Sequence, residues 1–293
     1  MKTYLLPALF FCLFLLPISH AQETTIRIGG VASSPKVVTI FKNLKAYLNK
    51  KGFKSDFVLY SDHKALVASL DSGETDIAWT SPIPHALYTT QAGGSQTLAS
   101  REVDNGLKVT LVAREGSGID SLDDLAGKRL VLGSTDNAEG SLLPMHYLEI
   151  EGVDLKKLKV VSLQGEKDKD GRRANTSKHV LQALGKGRGD AAVVLENTWN
   201  RAKDWREANP GVKQVWLSPA FCHCTFTAPK DFDTALGNQF TQLMTTMDPN
   251  DPLVAELNKL ENTKSWVETD SKGYEALYEA FEKKSELLGK IKK

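Results

Sequence analysis

Strand and helix patterns alternate along this chain, and the alternation restricts its fold more than any other feature. Thr25 to Ile28 alternates polar and apolar residues before Gly29-Gly30, which is typical of a strand that enters a loop. Residues 37–48 then carry apolar side chains at helical spacing. Further strand patterns at 57–60 and 77–79 flank a second helical pattern. This β-α-β order predicts a mostly parallel sheet with helices on both faces.

A second series of the same kind follows, and it contains an internal repeat. Its strand patterns lie at 109–113, 130–132, 160–161 and 191–194, with helical patterns between them and again from Asp231 onward. The order L-x-x-G-x-x-D-x-A occurs at 70–78 and recurs at 184–192. Two such units predict two similar α/β lobes, although an ordinary helix-to-strand connection that recurs by chance would give the same spacing.

The N-terminus predicts export. Lys2 precedes the apolar residues 5–18, and Ser19 and Ala21 are the small residues that commonly precede a cleavage point. The apolar run is shorter than the roughly 20 residues that cross a bilayer, which favours a cleaved signal peptide, residues 1–21, over a retained anchor. We therefore expect a periplasmic protein cut near Ala21. The mature chain would then have more residues than one compact core usually holds, which favours two lobes.

Composition and motifs exclude several functional classes. The formal net charge of the whole chain is +1, so no nucleic acid or acidic membrane surface is expected as a partner. The chain has no G-x-S-x-G, dinucleotide-binding or phosphate-loop motif. A Cys–His nucleophile at 222–224 would need a hydrogen bond between the side chains of adjacent residues, and on the expected strand those side chains point apart. We therefore expect neither enzymatic activity nor a cofactor.

Several segments resemble one known family. They are ALVASLDSGETDIAWTSPIPHAL (65–87), VTLVAREGSGIDSLDDLAGKRLVLG (109–133) and HVLQALGKGRGDAAVV (179–194). The S-P-x-P turn that begins at Ser81 is the most specific of the shared features. The chain resembles type II periplasmic solute-binding proteins of ABC importers, in their phosphate/phosphonate-binding branch.

This resemblance implies an α/β fold of two lobes with a ligand cleft between them. The first lobe would be discontinuous, 22–112 with 221–293, and the second would be 113–220. Two hinge strands, near 109–113 and 222–227, would let the lobes close around a small molecule. The implied partner is an ABC-importer permease in the inner membrane, and the protein would be a monomer. An alternative role is to present a ligand to a membrane sensor.

The resemblance also implies ligand-binding positions at the carboxyl ends of the strands in both lobes. In the first lobe these are Ser33, Ser34, Ser61, Thr80, Ser81 and His85. Trp79 is expected at or near the same cleft because it directly precedes Thr80-Ser81 at the carboxyl end of a strand. In the second lobe they are Asn137, Glu139, Ser141 and Glu196. Alternatively, Trp79 is an aromatic of the hydrophobic core. His85 could likewise be a histidine at the start of a helix whose hydrogen bonds are made within the protein.

The chain departs from the family where the second-lobe helix begins. The family usually has Ser-Thr-Ser-Gly there, and this chain has Asn137-Ala138-Glu139-Gly140. A carboxylate at this point would repel a phosphonate oxygen. Alternatively, Glu139 only starts the helix while Ser134, Thr135 or Ser141 binds the ligand. We expect a small polar solute such as a zwitterionic phosphonate, and not tightly bound inorganic phosphate.

The Cys222-His223-Cys224 segment lies on the expected return strand. On a strand both thiols would point to one face and His223 to the other. Paired thiolates favour Cu(I) or Zn(II), so the candidate metal ligands of this segment are Cys222, His223 and Cys224. The alternative ligand of the protein is then a metal or metal complex held by His85, Glu139 and the two cysteines. Small buried cysteines without a metal would explain the same motif.

Overall fold

The computed structural model describes residues 25–171, 173–174, 176–284 and 286–287, so the predicted signal peptide lies outside the described residues. The strands are β1 (Ile26–Val31), β2 (Ser55–Tyr60), β3 (Ile77–Thr80), β4 (Ser95–Thr97), β5 (Ala99–Arg101), β6 (Val109–Arg114), β7 (Arg129–Leu132), β8 (Lys159–Ser162), β9 (Ala191–Leu195), β10 (Val212–Leu217), β11 (Thr225–Pro229) and β12 (Trp266–Glu268). The helices are α1 (Pro35–Lys50), α2 (His63–Asp71), α3 (Pro82–Ala92), α4 (Leu143–Ile150), α5 (Ser177–Gly185), α6 (Glu196–Arg201), α7 (Lys203–Ala208), α8 (Thr234–Thr245), α9 (Pro252–Glu261) and α10 (Glu275–Glu282). None of the described helices combines the length and the apolar character needed to cross a membrane.

Two five-stranded sheets share one topology. The first has the order β2-β1-β3-β11-β4, and the second has the order β8-β7-β9-β6-β10 when read from its other edge. In the first, β1 is parallel to β2 and β3, while β11 is antiparallel to β3. In the second, β7 is parallel to β8 and β9, while β6 is antiparallel to β9. Each sheet therefore has three parallel strands and one antiparallel strand at the matching place.

The predicted repeat corresponds to equivalent contacts in the two sheets. In the first, the Arg27 backbone N–H donates to Asp76 at 2.7 Å and its guanidinium donates to the Gly73 carbonyl at 2.6 Å. In the second, the Arg129 backbone N–H donates to Asp190 at 2.9 Å and its guanidinium donates to the Gly187 carbonyl at 3.2 Å. Both glycines have positive φ, at 70° and 74°, which a residue with a side chain rarely adopts. The two segments are equivalent units, as the repeat predicted.

The chain passes between the sheets twice. It leaves the first sheet after β4, passes through β5, which pairs with β12 in a separate two-stranded sheet, enters the second sheet at β6, and returns between β10 and β11. We call 102–108 and 218–224 the crossing segments. The predicted limit at 112/113 falls inside β6, all of which pairs in the second sheet. The division into 22–112 with 221–293 and 113–220 stays a prediction, and strand pairing favours a first limit before Val109.

The helices cover the sheets closely. A Cβ atom at Gly30 of β1 would lie 2.3 Å from the Phe41 ring, so this glycine lets α1 pack directly on the strand. Phe41, Leu44 and Leu48 of α1 are buried there with Phe226 of β11. Burial of such side chains stabilises the fold by about 1.5–3 kcal/mol each.

The C-terminal helix α10 joins the two halves. It packs against α3, which follows the first sheet, and against α4, which belongs with the second. Leu277 and Ala280 are fully buried in a cluster with Leu143 and Met145. The halves are therefore held together by α10 as well as by the crossing segments.

Candidate functional site

Four predicted serines lie at one edge of the first sheet. Strands β1, β2 and β3 are parallel, so their carboxyl ends meet there, and the Ala32 N–H donates to the Tyr60 carbonyl at 2.8 Å across two of them. Ser33 and Ser61 are exposed at this edge, while Ser34 and Ser81 are half-buried. These four hydroxyls are the first-lobe site positions that the fold brings to one edge.

Ser34 and Ser81 begin the two helices at this edge. Each is the N-cap residue of its helix, α1 or α3, with extended backbone and no side-chain hydrogen bond to the first turn. The Ser34 Oγ is buried and has no hydrogen-bond partner among the described residues. A helix start has free N–H groups and a positive dipole end, which together favour an anion. In α3, Pro82 and Pro84 carry no N–H, so Ile83 is the one of its first three residues that can donate. Hydroxyls and helix starts at this edge can hold an oxyanion.

Thr80 and His85 lie in the packed interior, which corrects their predicted place at the ligand. The Thr80 hydroxyl is fully buried and 2.7 Å from the Thr227 hydroxyl. His85 is also fully buried, with Nδ1 2.8 Å from the Thr227 hydroxyl and Nε2 2.7 Å from the Tyr278 hydroxyl. Burial lowers the pKa of His85 to about 3, so its ring is neutral. These two side chains hold β3 and α3 to β11 and α10.

Trp79 is a half-buried aromatic in the first-sheet core. Its ring centroid is 4.8 Å from that of Phe226 and 5.6 Å from that of Trp266. The Arg101 guanidinium lies over the same ring, 5.4 Å from the centroid. These contacts match the core alternative considered for Trp79, and its predicted role in the cleft stays a prediction.

The second-sheet site positions surround one turn. Asn137 begins a π-helical turn, Ala138–Leu142, and its Oδ1 accepts from the Gly140 N–H at 2.6 Å. The Ser141 Oγ is buried and has no hydrogen-bond partner among the described residues. Glu196 is half-buried at the start of α6, at the carboxyl end of β9. The fold thus brings the predicted second-lobe residues to the corresponding edge of the second sheet.

Of the three hydroxyls considered for ligand binding here, two already have protein partners. Ser134 bonds the Gln164 side chain, and the Thr135 hydroxyl donates to the same Gln164 oxygen at 2.8 Å. Only Ser141 keeps an unbonded hydroxyl. It is therefore the strongest hydroxyl donor for a ligand on this turn.

A cavity of about 220 Å³ lies beside this turn. It is lined by Asn137, Glu139, Gly140, Thr176, Ser177, Lys178, Leu195 and Thr198. Sequence reasoning missed Thr176 to Lys178, which lie at the end of the polar segment 164–178. A larger hollow of about 800 Å³ lies under that segment, but its lining runs from 163 to 188 and includes neither Asn137 nor Glu139. The smaller cavity is the one that touches the predicted site.

A charged group of side chains connects the crossing segments to this turn, and we call Arg101, Asp104, Glu139, His223 and Cys224 the crossing cluster. Arg101 Nε lies 2.6 Å from Asp104 Oδ2. His223 Nδ1 lies 3.3 Å from Asp104 Oδ1, and His223 Nε2 lies 3.3 Å from Glu139 Oε2. The other Glu139 oxygen accepts from Asn137 Nδ2 at 3.0 Å. Glu139 is therefore a carboxylate paired with His223 and Asn137. It is neither an uncompensated charge facing the ligand nor a residue that only starts the helix.

The charges in the cluster support one another. Burial would raise the pKa of Asp104, but hydrogen bonds from His223 and Arg101 outweigh it and lower that pKa. Burial likewise opposes ionisation of Glu139, and His223 lowers the pKa of that carboxyl. Burial would lower the pKa of His223, but Cys224, Asp104 and Glu139 raise it well above its ordinary value. The cluster holds an imidazolium between two carboxylates.

The predicted Cys222-His223-Cys224 trio is divided in the structure. Residues 222–224 precede β11 and are not part of a strand, so the predicted alternation of side chains does not apply. Cys224 Sγ lies 3.1 Å from His223 Nδ1, whereas Cys222 Sγ lies 3.1 Å from Asn105 Oδ1. Burial raises the pKa of the Cys222 thiol to about 11. Both thiols are free, and Asp104, which no sequence pattern indicated, lies with Cys224 beside His223.

Each of the two similar lobes has serine hydroxyls and the start of a helical segment at the carboxyl edge of its sheet. This arrangement is typical of a substrate-binding protein. Residues 31–274 match the family of ABC transporter, phosphonate, periplasmic substrate-binding proteins. The match spans most of the chain, and the protein belongs to this family. Its members are periplasmic proteins that bind substrates for transport.

Individual relatives agree with this family and with the two-lobed fold. A Prochlorococcus marinus (strain MIT 9301) protein described as probable ABC transporter phosphite binding protein PhnD1 is 20% identical over 290 residues, 93% of each chain. Its structure in complex with methylphosphonate has a TM-score of 0.57 at 19% identity and covers 91% of this chain and 99% of that one. A Xanthomonas citri protein solved bound to ATP has a TM-score of 0.64 at 16% identity and covers 92% and 99%. The predicted two-lobed fold is confirmed.

Proposed function

We propose that this protein is the periplasmic substrate-binding component of an ABC importer and that it captures a small phosphonate between its lobes. Membership of the family supports the transport role. The observation that carries the ligand class is the buried, unbonded Ser34 hydroxyl at the start of α1. A buried hydroxyl without a partner costs free energy unless a ligand supplies the missing hydrogen bond.

The first lobe would hold the phosphonate group. The starts of α1 and α3 lie at one sheet edge with Ser34 and Ser81, and Ser33 and Ser61 are exposed beside them. Hydroxyls and free backbone N–H groups donate to all three oxygens of a phosphonate without adding a fixed positive charge. Such a site recognises the shape of the group as well as its charge.

The second lobe would bind the remainder of the ligand. Ser141 offers an unbonded hydroxyl, and Glu196 offers a half-buried carboxylate at the end of β9. Glu139 is already paired with His223 and Asn137, so its negative charge is compensated. This arrangement supports a zwitterionic phosphonate such as 2-aminoethylphosphonate, with its amine directed to Glu196.

Titration calorimetry with methylphosphonate, 2-aminoethylphosphonate, phosphite and phosphate tests the ligand class. We expect the phosphonates to bind most tightly, and Ser34→Ala to weaken them about tenfold or more, since a hydrogen bond to a charged group contributes about 1.5–3 kcal/mol. Ser72→Ala is the matched control, because Ser72 is exposed at the far end of α2, away from this edge. Phosphate binding tighter than either phosphonate would refute the assignment.

Glu196→Gln separates the two phosphonates. It should weaken 2-aminoethylphosphonate and leave methylphosphonate unchanged, because only the former carries an amine. Equal effects on both ligands would remove Glu196 from the amine site. Trp79→Phe tests the remaining first-lobe residue: a ligand-induced fluorescence change that persists in full would place Trp79 away from the cleft.

The other parts of the role follow from the same proposal. The protein would be cut near Ala21, act as a monomer, bind its ligand without converting it, and deliver it to an inner-membrane permease. N-terminal sequencing of the periplasmic protein tests the cut, and phosphorus NMR of incubated ligand tests the lack of conversion. Small-angle scattering should show a smaller radius of gyration with ligand than without it. Capture by a sensor ectodomain and not by a permease would favour the sensor alternative.

A further inference from the structure

We propose a transition-metal site, of the kind that takes Zn(II), built from Asp104, His223 and Cys224 where the crossing segments meet. A carboxylate oxygen of Asp104, a ring nitrogen of His223 and the sulfur of Cys224 all lie within 4.8 Å of one another. This set differs from the three consecutive residues that the sequence indicated, since Asp104 replaces Cys222.

Two acceptor atoms converge on one ring nitrogen. His223 Nδ1 lies 3.1 Å from Cys224 Sγ and 3.3 Å from Asp104 Oδ1. A ring nitrogen carries at most one hydrogen and cannot satisfy both acceptors well. A cation between the three atoms would interact with all of them at once.

The spacing suits a tetrahedral ion. With metal–ligand distances of 2.0–2.3 Å, neighbouring ligand atoms of a tetrahedral zinc site lie about 3.3–3.8 Å apart. The two separations from His223 Nδ1, 3.1 Å to the Cys224 sulfur and 3.3 Å to the Asp104 oxygen, are close to this range. The sulfur and the oxygen lie within 4.8 Å of each other, so shortening that distance would complete the geometry. A thiolate, an imidazole and a carboxylate form a ligand set that favours Zn(II) over Ca(II) or Mg(II), which prefer oxygen ligands.

The surrounding residues orient the donors as they do in zinc proteins. The second ring nitrogen, Nε2, lies 3.3 Å from Glu139 Oε2, and metal-binding histidines usually donate their free ring N–H to such a carboxylate. Arg101 holds Asp104 with bonds of 2.6 and 3.0 Å to its two oxygens. The Tyr274 hydroxyl donates to the His223 carbonyl at 2.9 Å. The donors are thus fixed by groups that need not move when an ion binds.

Three protein donors leave the fourth position of a tetrahedral ion to water or another small ligand. The side chain of His223 is 21% exposed and that of Glu139 is 17% exposed, so solvent reaches this side of the cluster. Asp104 is 5% exposed and Cys224 is 8% exposed, which would shield the metal bonds on the opposite side. An ion could therefore enter past His223.

Cobalt(II) absorption and zinc competition on the full mature protein test the site. Protein stripped with a chelator should bind one Co(II) and develop thiolate-to-cobalt charge-transfer absorption, which Zn(II) then removes. Cys224→Ser should abolish that absorption. Cys222→Ser is the matched control and should keep it, because the Cys222 thiol faces Asn105. Glu139→Gln should weaken Zn(II) binding about 10- to 100-fold while the absorption persists.

A measurement on the unaltered chain guards against variants that fail to fold. Zn(II) should protect Cys224 from alkylation and leave the alkylation of Cys222 unchanged, as read by peptide mass spectrometry. No Co(II) absorption in the unaltered protein, or absorption that survives Cys224→Ser, would overturn the proposal. Methylphosphonate titration of Cys224→Ser reports separately on the proposed transport ligand, so either proposal can fail without the other.

Discussion

A fully buried histidine, His85, and a half-buried one, His223, have opposite charge states in this molecule, and their neighbours explain the difference. His85 contacts the hydroxyls of Thr227 and Tyr278, and burial lowers its pKa to about 3. His223 lies between the carboxylates of Asp104 and Glu139, which help to raise its pKa well above the ordinary value although burial acts in the opposite direction. Burial fixes the charge of a histidine only when its partners are neutral.

The two histidines also differ in what they connect. His85 joins α3 to β11 and α10 inside a packed interior. His223 joins a crossing segment to the second-lobe turn at Glu139, in a partly solvated place. The neutral histidine belongs to the fold, and the charged one belongs to the junction between the lobes.

Removal of the charged histidine should have the largest effect. His223→Ala would leave Glu139 without its cation, and loss of one partner of a buried ion pair costs about 3–5 kcal/mol. Because His223 is 21% exposed, we expect the lower end of that range, about 3 kcal/mol, in urea unfolding at neutral pH with a chelator present. His63→Ala is the control, since His63 is exposed on α2. A loss no larger than that of the control would show that the pair is not a stabilising contact.

A fall in pH should lower the free energy of unfolding through the neutral histidine, His85. The pKa of His85 is lowered from 6.5 to about 3, so its contribution to stability is present above pH 6.5 and is lost as the pH falls toward 3. By pH 5 the free energy of unfolding should drop by about 2 kcal/mol, at 1.4 kcal/mol per pH unit. Urea unfolding between pH 7 and pH 5 measures this loss.

His85→Gln should flatten that acid slope. Asp104 and Glu139 have lowered pKa values and stay ionised over this range, so they do not contribute to it. His223 has the opposite sign: its contribution is present below its ordinary pKa and is lost as the pH rises through the raised one. An acid slope that survives in His85→Gln would mean that another group titrates there.

The smallest effect should come from one hydroxyl beside His85. Tyr278→Phe removes the partner of His85 Nε2 and should lower the free energy of unfolding by about 1 kcal/mol, the net worth of a typical hydrogen bond. Thermal unfolding at neutral pH gives the value. Tyr60→Phe, which removes a 2.9 Å hydrogen bond to the Thr75 hydroxyl, serves as the matched variant. A change below that of simple surface variants would show that water replaces the lost hydroxyl.

Much of the fold was predictable because its signals are local. Strand alternation, helical spacing and the glycine turns predicted the two α/β units, and the serines that follow β1, β2 and β3 lie together as expected. Thr80 could have been placed correctly, since residues two apart on a strand share a face and Ala78 is fully buried. The prediction took the third strand to end at Trp79, whereas Thr80 is the last residue of β3.

The rest of the site depends on contacts between distant segments. Asp104 meets His223 only when the two crossing segments pack side by side, and neither residue lies in a pattern that indicates the other. His85 is covered by Tyr278 of α10, 193 residues further along the chain. Such pairings follow from tertiary packing, which propensity and spacing do not encode.

The matched contacts of Arg27 with Asp76 and of Arg129 with Asp190 have a consequence for how such proteins diversify. Both pairs lie at the amino ends of the parallel strands, opposite the edge that carries the serines and the Asn137 turn of the predicted site. The frame of each lobe is therefore held at the end away from the predicted site. Loops at the predicted site can then change in one lobe and give a new specificity, while the other lobe continues to bind the part of the ligand that is shared.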